Sequence, residues 1–294
     1  ASVRREGSSK LGEDNQIGIF PAASIGTELT NYFDIDVVNQ LKVRLGFGVT
    51  GALPGPNGLA QDLYQYDFAA GGTVNFIRDA NEDLKWEQKT EINLGFDYGL
   101  FENRLTGSLD LYTRNITDFI LEVPVPTDQF ASGSQFQNAG ELQTNGLEFS
   151  VSYDVFADQD LFWNTGLVFD TYNTELKEFL QEETLRANLG APGQNGTNMI
   201  RVAEGEEIGQ IWGPVFSGQV DENGAPIMED LNGDGQVIAD QGSALAEDGD
   251  FKQLGSGIPD FSLGWTNRLN YKNWDLNMFF RGAFGHSLVN TYRA

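Results

Sequence analysis

An acidic segment at residues 230–240 carries oxygen-bearing side chains at alternate positions, an arrangement that suits hard cations such as Ca²⁺. The pattern is Asp-x-Asn-x-Asp-Gly, the first half of a calcium-binding loop, in which the glycine makes the sharp turn. The twelfth loop position is Gln241 rather than a bidentate carboxylate, so only weak affinity is expected. The predicted ligands are Asp230, Asn232, Asp234, the backbone carbonyl of Gln236, and Asp240. The alternative is an Asp/Asn/Gly turn held by side-chain-to-backbone hydrogen bonds.

Other reactive chemistry has little support in the chain. The sequence has no cysteine and one histidine, His286, which leaves no thiolate nucleophile and argues against zinc sites and histidine-based triads. Carboxylate pairs such as Glu182/Glu183 and Glu206/Glu207 are better explained by a solvated acidic surface than by a glycosidase site. The net charge of −25 disfavours nucleic acid as a partner, because phosphate binding needs basic clusters. We therefore predict that the protein is not an enzyme.

Strands must position the acidic segment, because apolar and polar residues alternate on both sides of it. Residues 41–50 place Leu, Val, Leu, Phe and Val on one face and polar or small residues on the other. Similar alternation fills 91–100, 105–111, 147–155, 163–169, 261–271 and 274–280, and a weaker strand runs from about 17 to 29. The sequence thus predicts roughly eight strands of an all-β antiparallel sheet.

The connections and the aromatic residues favour a large transmembrane β-barrel over a soluble sandwich. Short turns at 101–104, 156–160 and 272–273 alternate with long excursions at 52–89, 114–144 and 171–260. Aromatic rings, which prefer the membrane–water boundary, cluster at strand ends beside the short turns: Tyr98, Phe101, Tyr153, Phe156, Tyr271 and Trp274. In such a barrel the apolar face meets lipid and the polar face lines the lumen. The candidate lumen residues are Glu91, Asn93, Asp97, Asp110, Glu148, Asp154, Arg268 and Asn277.

An ordered series of motifs resembles the SusC/RagA-like branch of TonB-dependent outer-membrane transporters from Bacteroidetes, over nearly the whole chain. The motifs lie at 81–87 (NEDLKWE), 101–107 (FENRLTG), 138–142 (NAGEL), 145–148 (NGLE), 204–209 (EGEEIG), 212–213 (WG), 230–235 (DLNGDG) and 258–261 (IPDF). The resemblance implies a barrel of about 22 strands with a plugged lumen. We expect residues 1–294 to be an interior-to-late part of that barrel without the plug domain, and 171–260 to be a long, acidic extracellular region.

The resemblance also implies a function and partners. It predicts uptake of oligosaccharides or peptides across the bacterial outer membrane, with the loops outside the cell. The expected partners are a SusD-like surface lipoprotein as a lid, TonB acting through the plug, and outer-membrane lipid. Two alternatives stay open: a transporter-like barrel that acts as a scaffold subunit of a larger assembly, and a soluble, calcium-binding β-sandwich adhesin. The adhesin would partition into buffer without detergent.

Overall fold

The computed structural model describes residues 1–68, 71–158, 160–180, 184–189, 197–240 and 244–290, and nearly all of its regular structure is β. The first strands are β1 (Ser2–Gly7), β2 (Ile17–Glu28), β3 (Val38–Ala52), β4 (Leu63–Asp67), β5 (Thr73–Arg78), β6 (Glu87–Leu100), β7 (Leu105–Thr117), β8 (Ile120–Pro124), β9 (Ser134–Asn138), β10 (Gly140–Ala157) and β11 (Leu161–Phe179). The later strands are β12 (Thr184–Leu189), β13 (Thr197–Val202), β14 (Gln210–Gly213), β15 (Phe216–Val220), β16 (Pro226–Met228), β17 (Lys252–Ser256), β18 (Phe261–Tyr271) and β19 (Trp274–Phe284). Two short 3₁₀ helices, Glu13–Asn15 and Leu29–Asn31, lie beside β2. No helix in the described ranges is long and apolar enough to cross a membrane.

Nine strands form one sheet, which we call the wall sheet, in the order β1-β2-β3-β6-β7-β10-β11-β18-β19. Each strand pairs with the next wall strand along the chain, so the sheet is a meander interrupted by excursions. The alternation in the sequence explains the pairing in the middle of the sheet, because the registers of β3, β6 and β7 keep apolar residues together on one face. For example, Leu94 pairs with Leu45 on one side and with Leu111 on the other. On the opposite face, Gly95 pairs with Arg44 and Asp110.

The apolar face of the wall sheet is largely uncovered. Ile25 is 72% exposed, and Leu45, Ile92 and Leu111 in the middle of the sheet are also exposed. A soluble sheet would hide such residues against a second layer, whereas a membrane strand presents them to lipid. The exposed row therefore agrees with the predicted lipid-facing surface.

The connections between wall strands differ strongly at the two ends of the sheet. The connections at 101–104, 158–160 and 272–273 are short and those at 53–86, 118–139 and 180–260 are long, whereas 8–16 and 29–37 are equal in length and lie at opposite ends. Because successive connections of a meander lie at opposite ends, all the short ones share one end and all the long ones share the other. This alternation matches the sequence prediction, although β11 continues to Phe179 and so occupies the first nine residues of the predicted 171–260 excursion.

The first compact unit comprises Ala1–Gln181 and Leu263–Arg281. Its buried core is not inside the sheet but among the long connections, where Leu11, Phe20, Leu59, Leu84 and Trp86 pack together. We call this group the end cluster.

Two long connections of the first unit are tied to each other. The Asp79 carboxylate accepts hydrogen bonds from the backbone N–H and the hydroxyl of Ser132, at 2.6 and 2.7 Å. The Asn138 side chain in turn bonds the backbone N–H and carbonyl of Lys85, both at 3.0 Å. The connections at 53–86 and 118–139 therefore form one ordered layer rather than two independent loops.

The second compact unit comprises Glu182–Ser262 and Gly282–Ala294. It has a four-stranded sheet in the order β12-β13-β14-β17 and a hairpin, β15–β16. The long acidic region is therefore folded, as its length suggests, since excursions of this size are rarely structureless inside a domain.

Candidate functional site

The polar face of the wall sheet carries a network of fixed charges. The guanidinium of Arg44 binds Asp97 with two hydrogen bonds, at 2.8 and 2.9 Å, and also reaches both carboxylate oxygens of Asp110 at 3.2 Å. Gly95 lies beneath this contact, because a Cβ there would come within 2.6 Å of Arg44 Cζ. Such a forked, charge-assisted contact fixes the side chains of three adjacent strands.

A second set of contacts continues along the same face. Arg114 Nε donates to Glu91 Oε2 at 2.8 Å, and Lys89 Nζ lies 3.7 Å from the same oxygen. On β11, the Asn164 amide donates to Asp154 Oδ1 at 2.8 Å. The face is therefore polar and highly hydrogen-bonded, as a wall in contact with an aqueous lumen would be.

Strand registers place the predicted lumen residues on one face. Asn93 and Asp97 of β6 pair with Gly46 and Lys42 of β3. Asp110 of β7 pairs with Gly95 of β6, and Glu148 of β10 pairs with Asp170 of β11. Arg268 and Asn277 occupy the corresponding alternate positions of β18 and β19. Sequence reasoning missed an apolar member of this face, Phe279, whose ring lies 3.6 Å from a Cβ built on Gly264.

A hollow of about 500 Å³ opens on the polar face between β2, β3 and β6. Its floor is built from residues with little or no side chain, among them Ala22, Ser24, Gly46 and Gly48. A second hollow of about 320 Å³ adjoins it, sharing Ser24, Gly46 and Asn93 in its lining. Together they form one groove along β3.

The acidic loop predicted to bind Ca²⁺ is a series of side-chain-to-backbone turns. Asp230 accepts the backbone N–H groups of Gly233 and Gly235 at 2.6 and 2.9 Å, Asn232 Oδ1 accepts that of Asp234 at 3.0 Å, and Asp234 Oδ1 accepts that of Gln236 at 2.7 Å. In the described ranges no three carboxylate or imidazole side chains converge as metal ligands would. A carboxylate oxygen that accepts one N–H keeps a second lone pair, so these bonds leave room for a cation. Asp240 lies in the described part of the loop, whereas Gln241 falls outside the described residues. The calcium site stays a prediction.

Asp250 is the central residue of this loop, and sequence reasoning missed it. Its side chain is fully buried, and its carboxylate accepts the backbone N–H groups of Leu231, Asn232 and Ile238 at 2.5, 3.3 and 2.8 Å. The Ile238 N–H lowers the pKa of Asp250 most, and those of Leu231 and Asn232 add to this effect against the opposing cost of desolvation. The sequence around it, Glu247-Asp248-Gly249-Asp250, does not distinguish Asp250 from its acidic neighbours, and only the fold brings it to the loop.

We expect loss of the Asp250 charge to loosen the loop. Because the folded pKa is lowered, its contribution to stability is complete above the unfolded value of about 4 and disappears as the pH falls through the folded pKa. At neutral pH, Asp250→Asn should speed hydrogen exchange at the amides of Leu231 and Ile238 by about tenfold or more. This factor corresponds to the free energy that a hydrogen bond to a charged group contributes. Glu247→Gln, at an exposed acid of the same region, is the control. Unchanged exchange in Asp250→Asn would refute this role.

Known proteins resemble this chain in both sequence and fold. The sequence profile of the family described as TonB dependent receptor-like, beta-barrel matches residues 1–284. The chain is 32% identical to the TonB-dependent receptor P3 of Formosa agariphila over 98% of its length and 28% identical to the TonB-dependent receptor SusC of Bacteroides thetaiotaomicron over 97%. It spans 30% and 29% of the lengths of these two relatives. The solved structure of the RagAB peptide importer in its closed-closed state has a similar fold, with a TM-score of 0.76 at 20% identity, covering 97% of this chain and 31% of that one.

Proposed function

Since this chain belongs to the TonB-dependent receptor-like β-barrel family, we propose that it forms part of the wall of an outer-membrane transporter that imports oligosaccharides or peptides. The resemblance drawn from the sequence motifs, the all-β prediction and the assignment to a large barrel are confirmed by the family match and the shared fold. TonB-dependent receptors are transporters, not enzymes, in agreement with the sequence.

The two-faced wall sheet is the observation that carries the proposal. One face is largely apolar and uncovered, and the other carries a network of ion pairs with an open groove. A transport wall needs both properties, because it must lie against lipid and also guide a polar solute. The uncovered apolar face also disfavours the alternative of a soluble β-sandwich adhesin.

The ends of the sheet suggest where partners act. The long connections at 53–86 and 118–139 share one end of the sheet, where the end cluster and the hydrogen bonds between these two connections give a firm platform. This end suits a SusD-like surface lipoprotein that closes over the barrel, and we assign it to the extracellular side. TonB would act through parts of the longer protein, outside this wall. Among the relatives, RagAB is called a peptide importer, which supports peptides as one substrate class.

Uptake by intact cells tests the function. Deletion of the full-length gene should abolish energy-dependent uptake of one labelled oligosaccharide or peptide, and the wild-type gene should restore it. If deletion leaves all uptake unchanged but dissociates other proteins from an outer-membrane complex, the scaffold alternative is correct and the transport proposal is wrong.

The orientation of the wall gives a separate prediction. This segment has no cysteine, so single cysteines can report on each end of the sheet. Phe68→Cys lies on the β4–β5 hairpin, where the native side chain is 84% exposed, and should react with a membrane-impermeant maleimide on intact cells. Asn273→Cys, in the short β18–β19 turn, should react only after the outer membrane is permeabilised. The reverse pattern of labelling would invert the assignment.

We further propose that the acidic loop binds Ca²⁺ with a Kd on the order of 10⁻⁴ to 10⁻³ M, because few carboxylates contribute. Two carboxylates near each other repel, and a cation relieves that repulsion. Calorimetry should detect this binding in the full-length protein, and Asp234→Ala should remove it. Asp221→Ala, in the β15–β16 turn, is the control. Unaltered binding in Asp234→Ala, or none in the wild type, would leave the loop as a turn only.

A further inference from the structure

The groove on the polar face is long and follows one strand. Its lining includes Lys42 at one end and Lys89 at the other, on adjacent strands β3 and β6. Lys89 pairs with Thr50, eight residues along β3 from Lys42, which separates the two levels by about 26 Å. The groove is therefore suited to an extended chain rather than to a compact molecule.

The floor of the groove allows close approach of a ligand. Gly46 and Gly48 of β3 pair with Ser24 and Ala22 of β2, so four adjacent positions carry almost no side chain. A Cβ on Gly46 would meet only the Asn93 carbonyl oxygen, 4.0 Å away, so packing of the sheet does not require glycine there. Glycine inside a strand often marks a place where a ligand comes close to the backbone. The volume of about 500 Å³ for the larger hollow lies within the range of ligand sites.

The acidic groups near the groove are already bound. Asp97 and Asp110 are held by Arg44, and Glu91 by Arg114. Glu28, which pairs with Lys42 across the strands, accepts the Leu41 N–H at 2.7 Å and the Thr30 hydroxyl at 2.8 Å through one oxygen.

The amines are less committed than these acids. Within the described ranges Lys42 makes no ion pair of 4.0 Å or less. Lys89 Nζ lies 3.7 Å from Glu91 Oε2, which Arg114 Nε contacts more closely, at 2.8 Å. Among the described residues, the side chains of Ser24, Thr50 and Asn93, which also line the groove, make no hydrogen bond. The groove thus offers ammonium, hydroxyl and amide groups to a ligand, and its carboxylates are already held in ion pairs or hydrogen bonds.

We propose that this groove is a subsite for an extended, carboxylate-bearing oligomer, lying along β3 with acidic groups near Lys42 and Lys89. The proposal rests on the transport function and specifies its substrate class as acidic. Two sources share the required chemistry: a uronate-containing oligosaccharide and an acidic peptide. An extended peptide of about eight residues would reach from one amine to the other. The groove then forms an extended binding surface along the wall sheet, with a lysine ammonium group near each end.

Calorimetry on the purified full-length protein tests the subsite. The ligands are an oligogalacturonate, an octameric glutamate peptide, their neutral counterparts and the corresponding monomers. Lys42→Gln and Lys89→Gln should each weaken binding of the long acidic ligand by about tenfold, and the double variant by about a hundredfold, because distant sites act additively. Monomers should respond to only one of the two substitutions. Gly46→Leu should block the middle of the groove.

The controls separate a subsite from general effects. Lys177→Gln removes an amine that pairs with Glu175 on β11, away from the groove, and should leave affinity unchanged. Preference for the uronate or for the peptide identifies the source of the carboxylate. Equal affinity for acidic and neutral ligands, or acidic binding that ignores both lysine substitutions, would overturn the proposal. Acidic binding that ignores both lysine substitutions is also the result expected if a segment of the protein itself fills the groove.

Uptake distinguishes the two proposals. If deletion of the gene abolishes uptake but the lysine variants bind acidic chains as the wild type does, the subsite is wrong and the transport function stands. If lysine-dependent binding is found but deletion has no effect on uptake, the subsite stands and the transport function is wrong.

Discussion

Arginine in place of Leu94 should destabilise the wall by about 2–4 kcal/mol, whereas arginine in place of its neighbour Asn93 should be tolerated. Leu94 lies in the middle of β6, between Leu45 and Leu111 on the apolar face. Asn93 lies on the opposite face, where its partner Gly46 leaves space for a longer side chain. The two substitutions add the same charge one residue apart, so the difference between them reports which face meets hydrocarbon.

Urea unfolding of the full-length protein in lipid vesicles measures this difference. A large loss of unfolding free energy for Leu94→Arg alone is the expected result. Equal losses for both variants would mean that both faces are buried in protein, and the lipid-facing assignment would fail.

Removal of the Trp86 ring should cost about 3–5 kcal/mol, the range for a large aromatic side chain deleted from a core. Trp86 is 5% exposed in the end cluster and packs edge-on against Phe20, with ring centroids 5.3 Å apart. Its indole Nε1 also donates to the Gln16 carbonyl at 3.2 Å. The two rings occupy the space over Gly18 and Gly51, where added Cβ atoms would lie as close as 2.4 and 2.2 Å to Phe20.

The effect of Trp86→Ala should be concentrated at the end of the sheet that carries the long connections. Limited proteolysis should cleave 53–86 and 118–139 faster in Trp86→Ala, while strands β6 and β7 stay protected. Tyr32→Ala, at an exposed aromatic of the 29–37 connection at the other end of the sheet, is the control and should change little. Wild-type cleavage in Trp86→Ala would show that the end cluster does not hold these connections.

The wall strands were predictable because one physical constraint governs them. A strand between lipid and water must alternate, and β3, β6 and β10 therefore display their faces in the sequence itself. Strand β1 was missed because Ser-Val-Arg-Arg-Glu-Gly carries too few apolar residues to show alternation, and pairing with β2 defines it instead.

Contacts between distant residues were beyond sequence reasoning. Asn267 lies at an apolar-face position of β18, which alternation would assign to an apolar residue. It is buried there because its amide oxygen accepts the Trp163 indole N–H at 3.2 Å, across 104 residues of sequence. Asp250 is a similar case, since its three backbone partners lie 12 to 19 residues earlier. The polar groove also depends on register, because its glycines and lysines become neighbours only when β2, β3 and β6 pair.

The meander has a consequence for the order in which the protein folds. Most wall strands meet a neighbour that is close in sequence, but β11 and β18 are separated by residues 180–260. Closing a flexible loop roughly twenty times longer than the 101–104 turn costs about 2.7 kcal/mol more in chain entropy. Once the excursion has folded into its own sheet, less of that flexible length has to be confined. The β11–β18 seam is therefore expected to form late, after the excursion has become structured, so the excursion slows assembly through its chain entropy.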